Sequence, residues 1–245
     1  MGIKMTPPLE KHPYNSSPIP PDTKTLIVGT APPPRFSHPR PPHAGPEKDW
    51  DADFYYGSES NYLWVYLEDA AGERIFAKPG TSEAAVEDTE NLMRGFLQRH
   101  RIWMRDVLQT YRRKEGHEFS PMDRHIDLGS KDTEFLDFSG VLDTGRNIDK
   151  IVFTSVLAAE LFFSKVLAIG ATPDTVRDFH QTFFAAKAAR AEQTGMQRYV
   201  KEFCALELHC RAIKFYIAPS PSGSAWGPDR TTCVEIYRSI LFAGD

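Results

Sequence analysis

Cysteine is scarce in this chain. Only Cys204, Cys210 and Cys233 occur in 245 residues, an odd number whose spacing matches no zinc pattern, so neither a disulfide framework nor a zinc knuckle is expected. An excess of one charge is also missing, because 29 Lys and Arg stand against 33 Asp and Glu, and no global positive field draws in nucleic acid. Any such partner must be held by a local patch. No stretch approaches the ~18 to 20 apolar residues of a membrane span, and the first residues lack a basic start followed by an apolar run. The expectation is a cytoplasmic protein with reduced thiols, mostly buried, and no membrane partner. A Gly-x-Gly-x-x-Gly fingerprint and a P-loop lysine motif are absent, which counts against a small-molecule nucleotide-binding α/β protein. His117 and His125, with Asp123 and Asp127, lack compact ligand spacing, so neither a metal nor a cofactor is expected.

Proline, in contrast, is concentrated, with thirteen of the nineteen falling in the first 46 residues. Residues 1–22 read as an extended proline-rich arm, and residues 23–245 as one domain. Within the proline-rich region Thr23 to Gly29 forms a short apolar run ending in glycine, the pattern of a buried parallel strand. Asp149 to Ser155 and Ala212 to Ala218 read the same way. Helical spacing is predicted over Asn61 to Ala70, Ser82 to about Arg99, Val156 to Leu167, Pro173 toward Gly195 with a resumption to about Phe203, and Thr231 to Leu241. Ile102 to Tyr111 fits strand or helix. Strands alternating with helices imply an α/β fold whose mostly parallel sheet is covered on both faces. Right-handed crossovers then bring the strand-ending loops to one edge of that sheet.

Three stretches can meet at that edge: Thr30 to Ser37, the aromatic segment Phe54 to Asn61, and Pro219 to Trp226. Proline-rich loops lose little entropy on docking and hold their backbone groups in fixed directions, which suits gripping a phosphate backbone. Leu26-Ile-Val-Gly-Thr-Ala-Pro-Pro33 resembles a strand followed by Gly-x-x-Pro-Gly, and Phe54-Tyr-Tyr-Gly-Ser-Glu-Ser-Asn-Tyr-Leu-Trp64 is similar to Tyr-Tyr-(Ala/Gly)-His-Pro-x-Asn-x-Phe-Trp. Ala218-Pro-Ser-Pro-Ser-Gly-Ser224 resembles a Pro-Ser-x-Ser motif, and Ile102 to Leu108 a Trp-Asp-Val segment. Together and in this order they resemble the uracil-DNA glycosylase superfamily, in its mismatch-specific and hypoxanthine-DNA glycosylase branches.

That resemblance implies a three-layer α/β/α sandwich with a mostly parallel four-stranded sheet, and a monofunctional reaction without a cofactor, the hydrolysis of the N-glycosidic bond of a deaminated base in DNA. A base inside a duplex must be flipped into a pocket at a few kcal/mol of lost stacking, part of which an aromatic face recovers. By resemblance Tyr56 is the stacking aromatic, assisted by Tyr55, while Gly29, Thr30, Ala31 and Pro32 form the base-binding turn. Asn61 matches the asparagine of the hypoxanthine-type branch and is the expected catalytic amide, orienting a water or donating to the leaving base. Pro219, Ser220, Pro221, Ser222 and Gly223 would press on the DNA backbone, with Arg35 as a phosphate contact and Trp226 as a wedge or a packing residue. The expected partner is DNA carrying a damaged or mismatched base, bound by a monomer.

The same residues have plainer readings. Asn61 precedes a helical run and can serve as its N-cap, the tyrosines can be core aromatics, and Ser-Pro pairs start turns. Ala31 stands where many superfamily members carry Asn, Asp or Glu, which leaves a non-catalytic DNA-binding protein on the same fold as the alternative. Arg94, Arg99, Arg101, Arg105, Arg112, Arg113 and Lys114 form a basic cluster that suits phosphates or a solvated face. Asp106, within the Trp-Asp-Val-like segment, reads as structural.

Overall fold

A computed structural model describes residues 6–38, 51–75, 86–144, 147–223 and 227–243. In chain order its elements are β1 (Leu9–Lys11), β2 (Thr25–Gly29), α1 (Pro34–Ser37), α2 (Leu63–Ala71), α3 (Val86–Arg99), β3 (Ile102–Asp106), β4 (Leu108–Arg112), β5 (Glu134–Phe135), α4 (Phe138–Thr144), β6 (Lys150–Phe153), α5 (Val156–Leu161), α6 (Pro173–Ala191), α7 (Gln197–Val200), β7 (Cys204–Leu208), β8 (Arg211–Ile217) and α8 (Arg230–Leu241). A 3₁₀ turn covers Asp123–His125, and α5 runs on into a π-helical turn at Phe162–Val166.

The main sheet has the order β3-β2-β6-β8-β7. Its first four strands are parallel, and β7 is antiparallel to β8. The expected four-stranded sheet therefore gains a fifth, edge strand. Its hairpin turns on His209 and Cys210, with φ of 51° and 59°, a pair of left-handed residues that matches the twist of adjoining strands. Asn-Gly is the usual sequence for such a turn, so nothing in the composition announces it.

Strand β2 is buried at all five positions, as its apolar run requires of a strand covered on both faces, and β3 is buried throughout as well although it ends in the charged pair Arg105 and Asp106. The chain moves from β2 outward to β3 but from β6 to β8 in the opposite direction, so right-handed crossovers put their helices on opposite faces. One face carries α2 against α8, and the other carries α5, the π-helical turn and α6. The α/β sandwich follows from that reversal. On the second face Phe153, Phe162, Phe163, Phe183, Phe203 and Phe215 pack ring against ring, with centroids 5.2 to 6.3 Å apart. Helix starts are capped as the sequence suggests: Ser155, Thr172 and Asp229 each accept a backbone N–H from the first turn, and Pro173 follows its cap.

The ambiguous segment from Ile102 to Tyr111 is two strands in different sheets. After β3 the chain enters β4, which pairs with β1 and β5 in a small antiparallel sheet. The proline-rich residues expected as an extended arm thus lie along the body of the protein. Glu10, His12, Tyr14, Asn15 and Ile19 are all buried there. Prolines at 7, 8, 13, 18, 20 and 21 bracket the three-residue strand rather than interrupt it. The cysteines are unpaired: Cys233 is buried, Cys204 half-buried and Cys210 exposed on the hairpin. No helix among the described residues is long and apolar enough to cross a membrane.

Candidate active site

Because β2, β3, β6 and β8 run parallel, the residues that follow them emerge at one edge of the sheet. They line a cleft of about 600 Å³, within the usual range of ligand pockets. Thr30 to Pro33 come from the loop after β2, Asp106 from the end of β3, Thr154 and Ser155 from the end of β6, and Ser220 to Gly223 from beyond β8. The aromatic segment from Phe54 to Asn61 and the turn from Pro121 to Arg124 complete the wall. This is the crevice outside the carboxyl ends of an α/β sheet, where such folds bind their ligands.

Two sequence-distant segments are clasped directly. Asn61 and Ser222 form an antiparallel bridge in which Tyr62 N–H donates to the Pro221 carbonyl (2.8 Å) and Gly223 N–H to the Ser60 carbonyl (3.0 Å). A Cβ on Gly223 would sit 3.0 Å from that Ser60 oxygen, so glycine suits the close approach. Asn61 stands one residue before the N-cap position of α2, which is Tyr62, and its Oδ1 caps the first helical N–H by accepting from Leu63 at 2.9 Å. Only an acceptor can meet that N–H, so the carboxamide orientation is fixed and its NH₂ group is the end left for other partners.

Tyr56 is held in an uncommon backbone conformation, with φ of 55°, a state that costs a bulky residue of order 1–3 kcal/mol. Its hydroxyl lies 3.2 Å from Thr154 Oγ1 and 3.4 Å from Asp106 Oδ1. Burial pushes that phenol well above its ordinary range, and the nearby Asp106 carboxylate adds to the rise. The ring is half-buried, so one part of it faces the cleft. Gly29 is what allows this packing: a Cβ there would overlap both the Tyr56 hydroxyl and Asp106 Oδ1. Tyr55 also borders the cleft, but its hydroxyl is engaged in the interior, donating to Asn15 Oδ1 (3.0 Å) and accepting from Arg105 Nη1 (3.1 Å).

The loop after β2 is braced from below. Arg113 and Glu10 form an ion pair at 2.9 Å with side chains about 1% exposed, and Arg113 Nη2 also donates to the Pro32 carbonyl at 3.1 Å. Val107 and Leu108 N–H groups take the carbonyls of Gly29 and Thr30. Arg35, expected at a phosphate, instead bonds the Asp51 carboxylate and the Ser58 hydroxyl. Ser58 in turn meets Ser60 Oγ at 2.9 Å, so Arg35 orders the aromatic segment. Ser220 is half-buried and Ser222 exposed, with Ser222 N–H donating to Ser220 Oγ at 3.4 Å. Trp226 lies outside the described residues.

Members of the basic cluster are drawn into the fold rather than gathered on one face. Arg94 pairs with Glu90, Arg99 with Glu73 and Arg112 with Asp132, while Arg105 and Arg113 are buried. His117 and His125 stack at 3.8 Å, and among the described residues no group of three or more His, Cys, Asp or Glu side chains is arranged to hold a metal.

Several cleft residues escape sequence reasoning. His12 Nδ1 accepts the N–H groups of Tyr14 (3.1 Å) and Asn15 (3.0 Å), which fixes the tautomer with the proton on Nε2. Nε2 then donates to Asp106 Oδ2 at 2.9 Å. Asn15 clamps the Asp106 backbone on both sides, accepting its N–H at 3.0 Å and donating to its carbonyl at 2.9 Å. The arm therefore builds part of the site. Asp123 is the second carboxyl of the cleft, bonded to Thr30; burial pushes it up to about 6, with Asp106 adding to the rise and the Thr30 bond and Arg113 opposing it. Asp106 was visible as part of a motif, whereas His12, Asn15 and Asp123 carry no local pattern.

No family model matches the chain, and no curated protein does. Among solved structures it is similar to a solution NMR structure named as a "putative Uracil DNA glycosylase" from Methanosarcina acetivorans, at 17% identity and a TM-score of 0.44, over 97% of this chain and 98% of that one.

Proposed function

We propose that the protein is a monofunctional DNA glycosylase of the uracil-DNA glycosylase superfamily, releasing a deaminated base, either uracil or hypoxanthine or xanthine, from DNA. The reading takes residues 23–245 as the glycosylase-like domain, with the proline-rich segment before it supplying His12 to the cleft, acting as a cytoplasmic monomer without metal or cofactor. The observation that carries it is the clasp between Asn61 and Ser222 at the rim of a cleft that Tyr56 and the Thr30–Pro33 loop also line. Three motifs that resemble the superfamily are remote in sequence, and a shared cleft is what base flipping requires of them.

In this reading the flipped base enters beside the Tyr56 ring, held rigid by the Thr154 and Asp106 contacts at its hydroxyl. Hydrolysis leaves negative charge on the departing base, and oriented donors stabilise it. With its oxygen engaged by Leu63, Asn61 acts through its NH₂ group. Ser220, Ser222 and the flanking Pro219, Pro221 and Gly223 meet the DNA backbone, where small residues permit close approach.

The test is alkali cleavage of duplex and single-stranded oligonucleotides carrying each of the three bases, after incubation with the protein. Strand breaks at one or more of them are expected. Lesion-independent, salt-sensitive binding with no break at any of them would favour the non-catalytic alternative and end the enzyme reading.

A further inference from the structure

Asp123 is not part of any motif, yet it sits where the chemistry would occur. It lines the cleft from the Asp123–His125 turn, and its carboxyl bonds Thr30, the first residue of the base-binding loop. Every neighbouring element contributes a group that bears on it. Thr30 comes from the loop after β2, Asp106 from the end of β3 and Arg113 from just after β4; Tyr56 comes from the aromatic segment, and Arg124 and His125 share its own turn. Arg113 is engaged by Glu10 at 2.9 Å, and among the described residues no ion pair is made to Asp123 itself. Asp106, by contrast, is tied to His12 at Oδ2. Two carboxyls therefore border one cleft in different surroundings, one tied to a histidine and the other bonded to a threonine.

We propose that Asp123 is a catalytic residue that hands its proton to the departing base. The inference rests on the glycosylase reading and extends it. As the bond between C1′ and the base nitrogen breaks, its electron pair goes to the base, which takes the Asp123 proton. Water adds to C1′ and releases its proton to solvent through the open cleft, from which Asp123 is protonated again. The base therefore leaves neutral, and the lone polar amide of Asn61 need not carry the whole developing charge. Burial favours the protonated form needed for this step, and the acid would be present below about pH 6.

The experiment is single-turnover base release between pH 5 and 8, on whichever lesion the wild type cuts, with Asp123→Asn and Asp123→Glu alongside. Asp123→Asn is expected to be about 10²-fold slower at pH 5.5, the lower end of general-acid effects. The wild-type rate should fall as pH rises through about 6 and converge on that of the Asn variant, while Asp123→Glu keeps a titrating profile. Lesion binding by fluorescence anisotropy should change little in both variants, and both should stay folded across this pH range. Equal rates and profiles for wild type and Asp123→Asn would overturn the proposal and leave the glycosylase reading intact. Absence of cutting by the wild type on every lesion would overturn both. Carbon-13 NMR of the free protein reads the same carboxyl without turnover, and a midpoint near 4 instead of near 6 would count against the proposal whatever the substrate.

Discussion

Phe153 and Thr154 are neighbours at the end of β6, yet they belong to different kinds of structure. Phe153 enters the phenylalanine layer beneath α5, lying parallel to Phe215 at 6.1 Å and edge-on to Phe162 at 5.2 Å. Thr154 turns to the cleft and meets the Tyr56 hydroxyl. On the first side shape alone is satisfied, and dispersion and burial do the holding. On the second, a left-handed tyrosine, two carboxyls and a glycine with no room for a Cβ are kept in place by buried polar links to the N-terminal residues. The contrast teaches that the cleft is costly to fold and is supported from outside the sheet. Strain that persists at a ligand site is a mark of function.

That contrast can be broken from either side. Phe153→Ala should lose about 3–5 kcal/mol in urea unfolding, the cost of a large cavity in a packed layer. Arg113→Ala should cost a similar ~3–5 kcal/mol, because Glu10 is left charged and buried, and it should also loosen the Pro32 loop. The two differ in what survives: in stabilising buffer the Phe153 variant should keep ligand affinity at the cleft, and the Arg113 variant should lose it. Equal retention would mean that the brace is irrelevant to the site.

A smaller effect sharpens the comparison. Asp123 is raised from the ordinary carboxylate value of 3.8 to about 6, so between those values the folded protein holds a proton that the unfolded chain does not. Stability linked to this group is therefore fully present below pH 4 and lost as pH rises through 6. Asp123→Asn should be more stable than wild type at pH 8, by up to roughly 3 kcal/mol, and the advantage should vanish near pH 4. Smaller still is Tyr56→Phe, which keeps the ring but drops the weak contacts to Thr154 and Asp106; a loss of about 0.5–1.5 kcal/mol is expected in the same unfolding experiment.

Much of the frame was legible in the sequence. The apolar runs from Thr23 to Gly29, Asp149 to Ser155 and Ala212 to Ala218 contain parallel strands, and their common direction put the loops that follow them at one edge. Motif order then brought Asn61 and Ser222 together. What escaped did so for physical reasons. A three-residue strand at Leu9–Lys11 is too short to show alternation, and prolines around it mask the burial of Glu10 and His12. The β7–β8 hairpin turns on residues with no turn preference. The basic run from Arg94 to Lys114 spans a helix and two strands, so its charges point in different directions, and Arg105 and Arg113 turn inward. Asp123 lies on an isolated turn, where only folding reveals its neighbours.

The most direct test compares single-turnover base release by the wild type with that by Asn61→Ala on the same lesion-bearing duplex. Losing one oriented donor should slow release by about 10²–10³-fold, while lesion binding stays within a few fold and the lost cap costs only ~1 kcal/mol of stability. Release at the wild-type rate by Asn61→Ala would contradict the account, because the clasped amide would then be a helix cap and nothing more.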